Sequence, residues 1–207
     1  MFLGAPASGK GTQGEMAAKK LSVPLISTGA MLRREMANKS ELGIKSAGYI
    51  EKGDLVPDEL VLEMVACRLK EKDCENGFLL DGFPRTLPQA KALDEMGIML
   101  DKIISLEVPE DEIIKRITGR RLCKDCPQTF HMMFKPPKKE GICDDCGGEL
   151  FLRSDDSEEV AKERLVVYGE LTAPLKDYYK SRGLLFEVDG SGDIKDISLK
   201  IDKLLNI

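Results

Sequence analysis

The chain has little that would tie it to a membrane, to nucleic acid or to an oxidising compartment. No apolar run approaches the roughly 20 residues that a spanning helix needs. With the first loop beginning at Gly4, no leader-like segment is expected. The net charge is −5, whereas a general nucleic-acid binder needs a basic surface to neutralise phosphates. A secreted disulfide framework is missing too, because four of the six cysteines fall in one short segment as two close pairs. Cys67, on a predicted helix, and Cys74, near its end, are expected to be packing residues. There is no internal repeat and no low-complexity tract. What remains is a globular protein of a reducing cytoplasm, and 207 residues suffice for a full core with one or two small inserted lobes.

The strongest positive signal is at the start. Met1-Phe-Leu is a short apolar run that enters Gly4-Ala-Pro-Ala-Ser-Gly9-Lys10-Gly11-Thr12, and Gln13 to Leu21 follows with helical character. Strand, glycine-rich loop and helix in that order place backbone N–H groups and a helix N-terminus around an anion. Lys10 can reach the outer phosphates of a nucleoside triphosphate, and the Thr12 hydroxyl can approach the metal side. The usual pattern has Ser or Thr directly after the lysine; here Gly11 intervenes. A glycine-rich dinucleotide turn is the alternative, but such a turn does not need a lysine at that place.

Strand signals at 2–3, 25–27, 78–81, 102–108 and 184–188 alternate with helical ones at 11–21, 58–72, 87–95, 110–117, 158–182 and 193–205. Pro109 followed by three acidic residues suits a helix start, and Pro174 is expected to interrupt the long 158–182 helix. The alternation predicts an α/β fold with a parallel sheet between helices. Residues 28–56, helix-rich, and 119–156, with the paired cysteines, interrupt it like insertions. Met1, Phe2 and Leu3 are few for a first strand, as if it were clipped or frayed.

Cys123-Lys-Asp-Cys126 and Cys143-Asp-Asp-Cys146 stand sixteen residues apart. Two knuckles of this kind offer four thiolates, a tetrahedral set suited to zinc; disulfides or loose thiols are the competing reading. Four sulfurs leave no open coordination position, so such a site is structural. Across 119–156 seven Lys or Arg offset seven Asp or Glu, so this segment carries no basic patch for nucleic acid. His131, the sole histidine, is expected to have no ligand role.

Taken with Phe78-Leu-Leu-Asp81-Gly82-Phe83-Pro84-Arg85 and Gln89, with Ser27-Thr28-Gly29, with Gly119-Arg120-Arg121 and with Arg153-Ser-Asp155-Asp156, the opening loop resembles that of the adenylate kinase family, in its bacterial form with a long, zinc-bearing lid. These motifs run from residue 4 to about 191. The resemblance implies a P-loop nucleoside monophosphate kinase core and the reaction ATP + AMP = 2 ADP with Mg²⁺, serving adenine nucleotide homeostasis. It implies a core of residues 1–27, 57–118 and 157–207, an AMP lobe of 28–56 and a lid of 119–156. The hinges would lie at Ser27–Thr28, Val56–Pro57, Gly119 and Asp156–Ser157. The partners would be nucleotides only, with no nucleic acid or membrane, and the protein a monomer.

Carried over position by position, the resemblance assigns ATP phosphates to Lys10 and the backbone of Ala7, Ser8, Gly9, Gly11 and Thr12. It assigns AMP to Thr28, Arg33, Arg85 and Gln89, with Leu55, Val56 and Gly82 along its base. Arg120, Thr129 and Phe130 would meet ATP, with Phe130 against the adenine. Arg116, Arg153 and Arg164 would surround the transferring phosphoryl, the latter two also reaching AMP. Asp81 would orient magnesium through water, and Asp155 and Asp156 would help close the lid. Arginine suits these tasks, since its guanidinium stays charged and forks onto phosphate oxygens. Two positions depart from the family pattern: Ala7 stands where the loop usually has Gly, and Ala30 where many relatives have Asp. Two rival functions remain, a kinase for another nucleoside monophosphate and a nucleotide-gated zinc module without turnover; the intact Lys10, Asp81 and arginine set speak against the second.

Overall fold

The computed structural model describes residues 1–126 and 128–207. In chain order the core elements begin with β1 (Phe2–Gly4), α1 (Lys10–Leu21) and β2 (Leu25–Ser27), followed by two helices, α2 (Thr28–Ala37) and α3 (Glu41–Lys52). Then come α4 (Asp58–Leu69), β3 (Leu79–Asp81), α5 (Leu87–Glu95), β4 (Ile103–Glu107) and α6 (Glu110–Gly119). Three short strands, β5 (Arg120–Cys123), β6 (Thr129–His131) and β7 (Leu150–Phe151), precede α7 (Glu158–Val167), α8 (Leu175–Lys180), β8 (Leu185–Asp189) and α9 (Ile194–Leu205).

The expected α/β architecture is present. The core sheet is parallel, in the order β2-β3-β1-β4-β8. Neighbouring residues of one strand feed opposite faces. Leu3, Leu80 and Ile103 join a core with Ile26, Val65, Phe83 and Leu93, whereas Phe2, Leu79 and Ile104 join one with Ala17, Ile197 and Ile201. Helices therefore cover both faces, which is why these strands read as continuous apolar runs rather than as an alternation.

As expected, the 158–182 helix is interrupted at Pro174: Tyr168–Thr172 forms a π-turn in which Ala173 N–H reaches back to Tyr168 O, and α8 begins after the proline, which has no N–H to give. Two expectations change. The 58–72 helix ends at Leu69, and a separate 3₁₀ turn covers Lys72–Cys74. Cys67 is exposed, not packed inside, whereas Cys74 is buried.

The two inserted segments fold differently. α2 and α3 lie so close that a Cβ on Gly43 would sit 2.1 Å from the Glu35 carbonyl oxygen. β5, β6 and β7 form a small antiparallel sheet in the order β6-β5-β7, whose own core is Cys123, Phe130, Cys143 and Leu150.

Candidate active site

Parallel strands end together, and ligands of such folds bind outside their carboxyl ends. Here β1 leads into the Gly4–Gly9 loop, β2 into Thr28, and β3 ends at Asp81 before Gly82 and Arg85. The loop closes on Gly9, whose φ of +101° precedes α1 without a side-chain cap, leaving the first helical N–H groups facing the cleft. Ala7 adopts φ +56°, a left-handed conformation that costs an alanine about 1 kcal/mol. A residue with a Cβ thus occupies a backbone state that glycine would take without strain.

Lys10 donates from Nζ to Gly4 O at 2.7 Å, Ala5 O at 2.6 Å and Ser8 Oγ at 3.4 Å. It has no carboxylate partner among the described residues. Burial, with Arg85, Arg164 and Arg120 nearby and despite Asp81, lowers its pKa to about 7. Arg33, with no hydrogen bond or ion pair to a described residue, is lowered to about 9 by burial and by Arg153. Arg85 is also lowered by burial, and its Nε donates to Gly82 O at 2.8 Å, the same oxygen that Thr28 Oγ1 approaches at 2.7 Å.

Two aspartates hold the remaining arginines. Arg120 grips Asp156 with two nitrogens, Nε at 2.8 Å, and Arg153 grips Asp155 likewise, Nε at 2.8 Å. Arg164 bridges both, to Asp155 Oδ2 at 3.1 Å and Asp156 Oδ1 at 3.2 Å. Burial raises the Asp155 pKa, but the Arg153 charge and hydrogen bond, with Arg164, outweigh it and hold the carboxyl below its usual range. Ser27 Oγ donates to Asp81 Oδ2 at 3.0 Å and fixes that carboxylate at the end of β3. Cations outnumber acids in this cleft, so it is built for a polyanion.

The remaining expected site residues have surroundings of their own. Arg116 does not share the aspartates of Arg120, Arg153 and Arg164. It donates to Glu112 Oε1 at 2.5 Å, Gly190 O at 2.8 Å and Ser8 O at 3.4 Å, with the Phe134 ring centre 5.9 Å away. Phe130 is 3% exposed, packed with Cys123, Cys143 and Leu150 in the small sheet's core, and Lys135 Nζ stands 5.2 Å from its ring centre. Thr129 is exposed beside it. Val56 is part of the main core rather than a free lining, and Leu55 is half-buried. Gln89 is buried in a hydrogen-bond network: its Oε1 accepts from Arg85 N–H at 2.7 Å, and its Nε2 donates to Asp58 Oδ1 at 2.6 Å. Asp58, Thr86 and Thr172, which donates from Oγ1 to Arg85 O at 2.8 Å, escaped the sequence reading. Only the acid one residue after Pro57, at the start of α4, could have drawn attention.

The four cysteine sulfurs lie within 4.8 Å of one another. Cys123 Sγ is 3.4 Å from Cys146 Sγ, and Cys126 Sγ is 3.6 Å from Cys143 Sγ. Sulfurs around tetrahedral zinc stand about 3.8 Å apart, so the four fit such a metal. A Cβ on Gly148 would come within 2.9 Å of Cys123 Sγ and 2.4 Å of an Asp125 oxygen, so a glycine is required beside the cluster.

The family model for adenylate kinase matches residues 2–184. The chain belongs to the adenylate kinase family. It is 52% identical to an adenylate kinase of Caldicellulosiruptor bescii, over 100% of this chain and 98% of that one. It is 52% identical to one of Carboxydothermus hydrogenoformans, over 99% and 98%, and 50% identical to one of Archaeoglobus fulgidus, over 99% and 96%. As an adenylate kinase the protein is a phosphotransferase with adenine nucleotides as substrates, which accounts for an excess of half-buried cations facing one cleft. Among the described residues no helix is long and apolar enough to cross a membrane.

Proposed function

We propose that this adenylate kinase transfers the terminal phosphoryl group of ATP to AMP in the cleft outside β1, β2 and β3, with the residue roles that follow. The observation that carries these roles is the group of half-buried cations Lys10, Arg33 and Arg85, which lack acidic hydrogen-bond partners among the described residues, beside three arginines tied to only two aspartates. Phosphoryl transfer asks a protein chiefly to align two anions and to spread the charge of the transition state.

Lys10 and the loop N–H groups from Ala7 to Thr12 hold the β and γ phosphates of ATP. Arg33 and Arg85 hold the AMP phosphate, with Thr28, Leu55, Gly82 and Gln89 nearer its nucleoside. Arg120, Arg153 and Arg164 converge on the phosphoryl in flight, and Asp155 and Asp156 keep their forks aimed before substrates arrive. Arg116 is better suited to the nucleoside end of ATP, where its guanidinium stands by the Phe134 ring. The residues near the loop fit a magnesium–nucleotide complex: Asp81 would hold the ion's water shell and Thr12 would approach it. Magnesium, when bound, supplies charge neutralisation at the phosphates.

In the lid, Cys123, Cys126, Cys143 and Cys146 bind one zinc ion, whose role is folding rather than chemistry. Residues 28–56 and 119–156 act as lobes that close over the substrates and exclude water, which would otherwise take the phosphoryl group. The protein works as a monomer in the cytoplasm, where thiolates stay reduced.

A coupled assay with each nucleoside monophosphate tests this reading. AMP should be preferred, and Arg85→Ala should raise the KM for AMP and lower turnover. An Arg85→Ala enzyme with unchanged AMP affinity and rate would move the AMP site elsewhere.

A further inference from the structure

Gln89 can offer its amide to a ligand in either of two orders, because rotation by half a turn exchanges its oxygen and nitrogen. Two neighbours remove that freedom. The Arg85 backbone N–H can only donate, so it requires Oε1, at 2.7 Å. The Asp58 carboxylate contacts the other end, Nε2, at 2.6 Å as an acceptor. Asp58 is itself held, since Thr86 Oγ1 donates to its second oxygen at 2.8 Å and in turn accepts from Gln89 N–H at 3.2 Å. Gln89 is 2% exposed, so a reversed amide would bury donor against donor and acceptor against acceptor with no water to relieve it.

We infer that Asp58 is a specificity-determining positioning residue: it locks the Gln89 amide in one polarity, so that a 6-amino purine is accepted and a 6-oxo purine rejected. The inference rests on the reading that Gln89 meets the base of the monophosphate. With one Nε2 hydrogen on Asp58 and one Oε1 lone pair on Arg85 N–H, the amide keeps one donor and one acceptor in fixed order. Adenine answers with a ring-nitrogen acceptor beside an amino donor, the pairing that Asn and Gln make with this base. A 6-oxo purine presents an acceptor where the amino donor should be. A site whose buried polar groups are fixed discriminates more strongly than one that can rotate to suit. Asp58 does this from the first residue of α4, two positions beyond the Val56 side chain that anchors the lobe in the core.

The test compares AMP with IMP, its 6-oxo counterpart, on the zinc-loaded full chain. Asp58→Asn keeps the shape but replaces an acceptor-only group with one that both donates and accepts, so of the two constraints on the Gln89 amide only the one from the Arg85 N–H remains and the reversed order becomes less costly. The ratio of kcat/KM for AMP to that for IMP should fall on the order of tenfold, with the KM for ATP unchanged. A packing role alone would slow both substrates together and leave the ratio in place, and that outcome in a folded variant overturns the inference. Gln89→Ala separates the underlying reading: if AMP KM and the AMP:IMP ratio are both unchanged there, Gln89 does not meet the base and the inference fails with it. If Gln89→Ala lowers the ratio and Asp58→Asn does not, the base contact stands and the role of Asp58 is refuted. Should Asp58→Asn not fold, hydrogen exchange of the Gln89 side-chain amide in the native protein decides. Slow exchange and restricted rotation are expected, and exchange as fast as that of an exposed glutamine overturns the inference.

Discussion

The two segments that interrupt the core hold their shape by opposite means. Residues 28–56 are two helices in close contact, and Leu32 and Val56 join the same buried cluster as Leu3 and Phe83 of the core. Residues 119–156 bury Phe130, Leu150 and two cysteines in a cluster of their own. Four partly apolar groups cannot offset the ordering of some forty residues. One segment therefore leans on the main core, whereas the other holds a small cluster of its own around four cysteines whose sulfurs lie within 4.8 Å of one another. The difference matters for catalysis, because each segment brings cations to one cleft: Arg33 from the first, and Arg120 and Arg153 from the edges of the second.

The sharpest way to separate chemistry from scaffolding is at the core. Lys10→Met should lower turnover by about 100-fold or more, since a preorganised charge on the transferring phosphates is lost. Zinc content and the unfolding midpoint should stay near those of the parent, as measured by elemental analysis and calorimetry. Next in size is metal removal. Cys126→Ser, or a strong chelator, should release the ion and cost roughly 10- to 100-fold in turnover by misplacing Arg120 and Arg153. Hydrogen exchange should show β5, β6 and β7 losing protection while β1 and β4 keep theirs. Equal loss in both regions would mean that the lid is not independently held.

A smaller effect is a proton. Burial brings the free-protein pKa of Lys10 down to about 7, so near pH 8 most of the amine is neutral. Its protonation is disfavoured until an anion arrives, and phosphate binding raises the pKa again. ATP binding near pH 8 should therefore take up as much as about one proton, an uptake that fades below pH 7. Calorimetry in buffers of different ionisation enthalpy should record it in the parent and not in Lys10→Met. The smallest expected change is at Ala7. Ala7→Gly relieves about 1 kcal/mol of left-handed strain but loosens the unfolded chain by roughly 0.4–1 kcal/mol, so the net gain is at most about 0.6 kcal/mol, or up to about 2 °C in Tm.

Much of this protein was legible in the sequence because its signals are local. The loop from Gly4 to Thr12, the two cysteine knuckles and the strand-to-helix alternation each depend on neighbours in the chain, and spacing alone carries them. The family motif around Asp81 and Arg85 was equally local, and the α/β fold and adenylate kinase assignment agreed with the matches to relatives. Pro174 marked the interruption of the 158–182 helix, but element ends were less legible: neither the π-turn form of that break at Tyr168–Thr172 nor the end of α4 at Leu69 is recorded by periodicity.

What only the tertiary structure decided is which side chain answers which. Arg116 and Arg120 are one helical turn apart in sequence, yet one turns to Glu112 and Gly190 while the other grips Asp156, 36 residues away. Phe130 reads as an aromatic free to stack, but the register of β5 and β6 turns it inward, toward the cysteines. Asp58 and Gln89, 31 residues apart, meet because α4 and α5 pack together. A sequence specifies chemistry and local conformation at each position. Hydrogen-bond partners and buried faces are set by which elements pack together, and that contact exists only once the chain has folded.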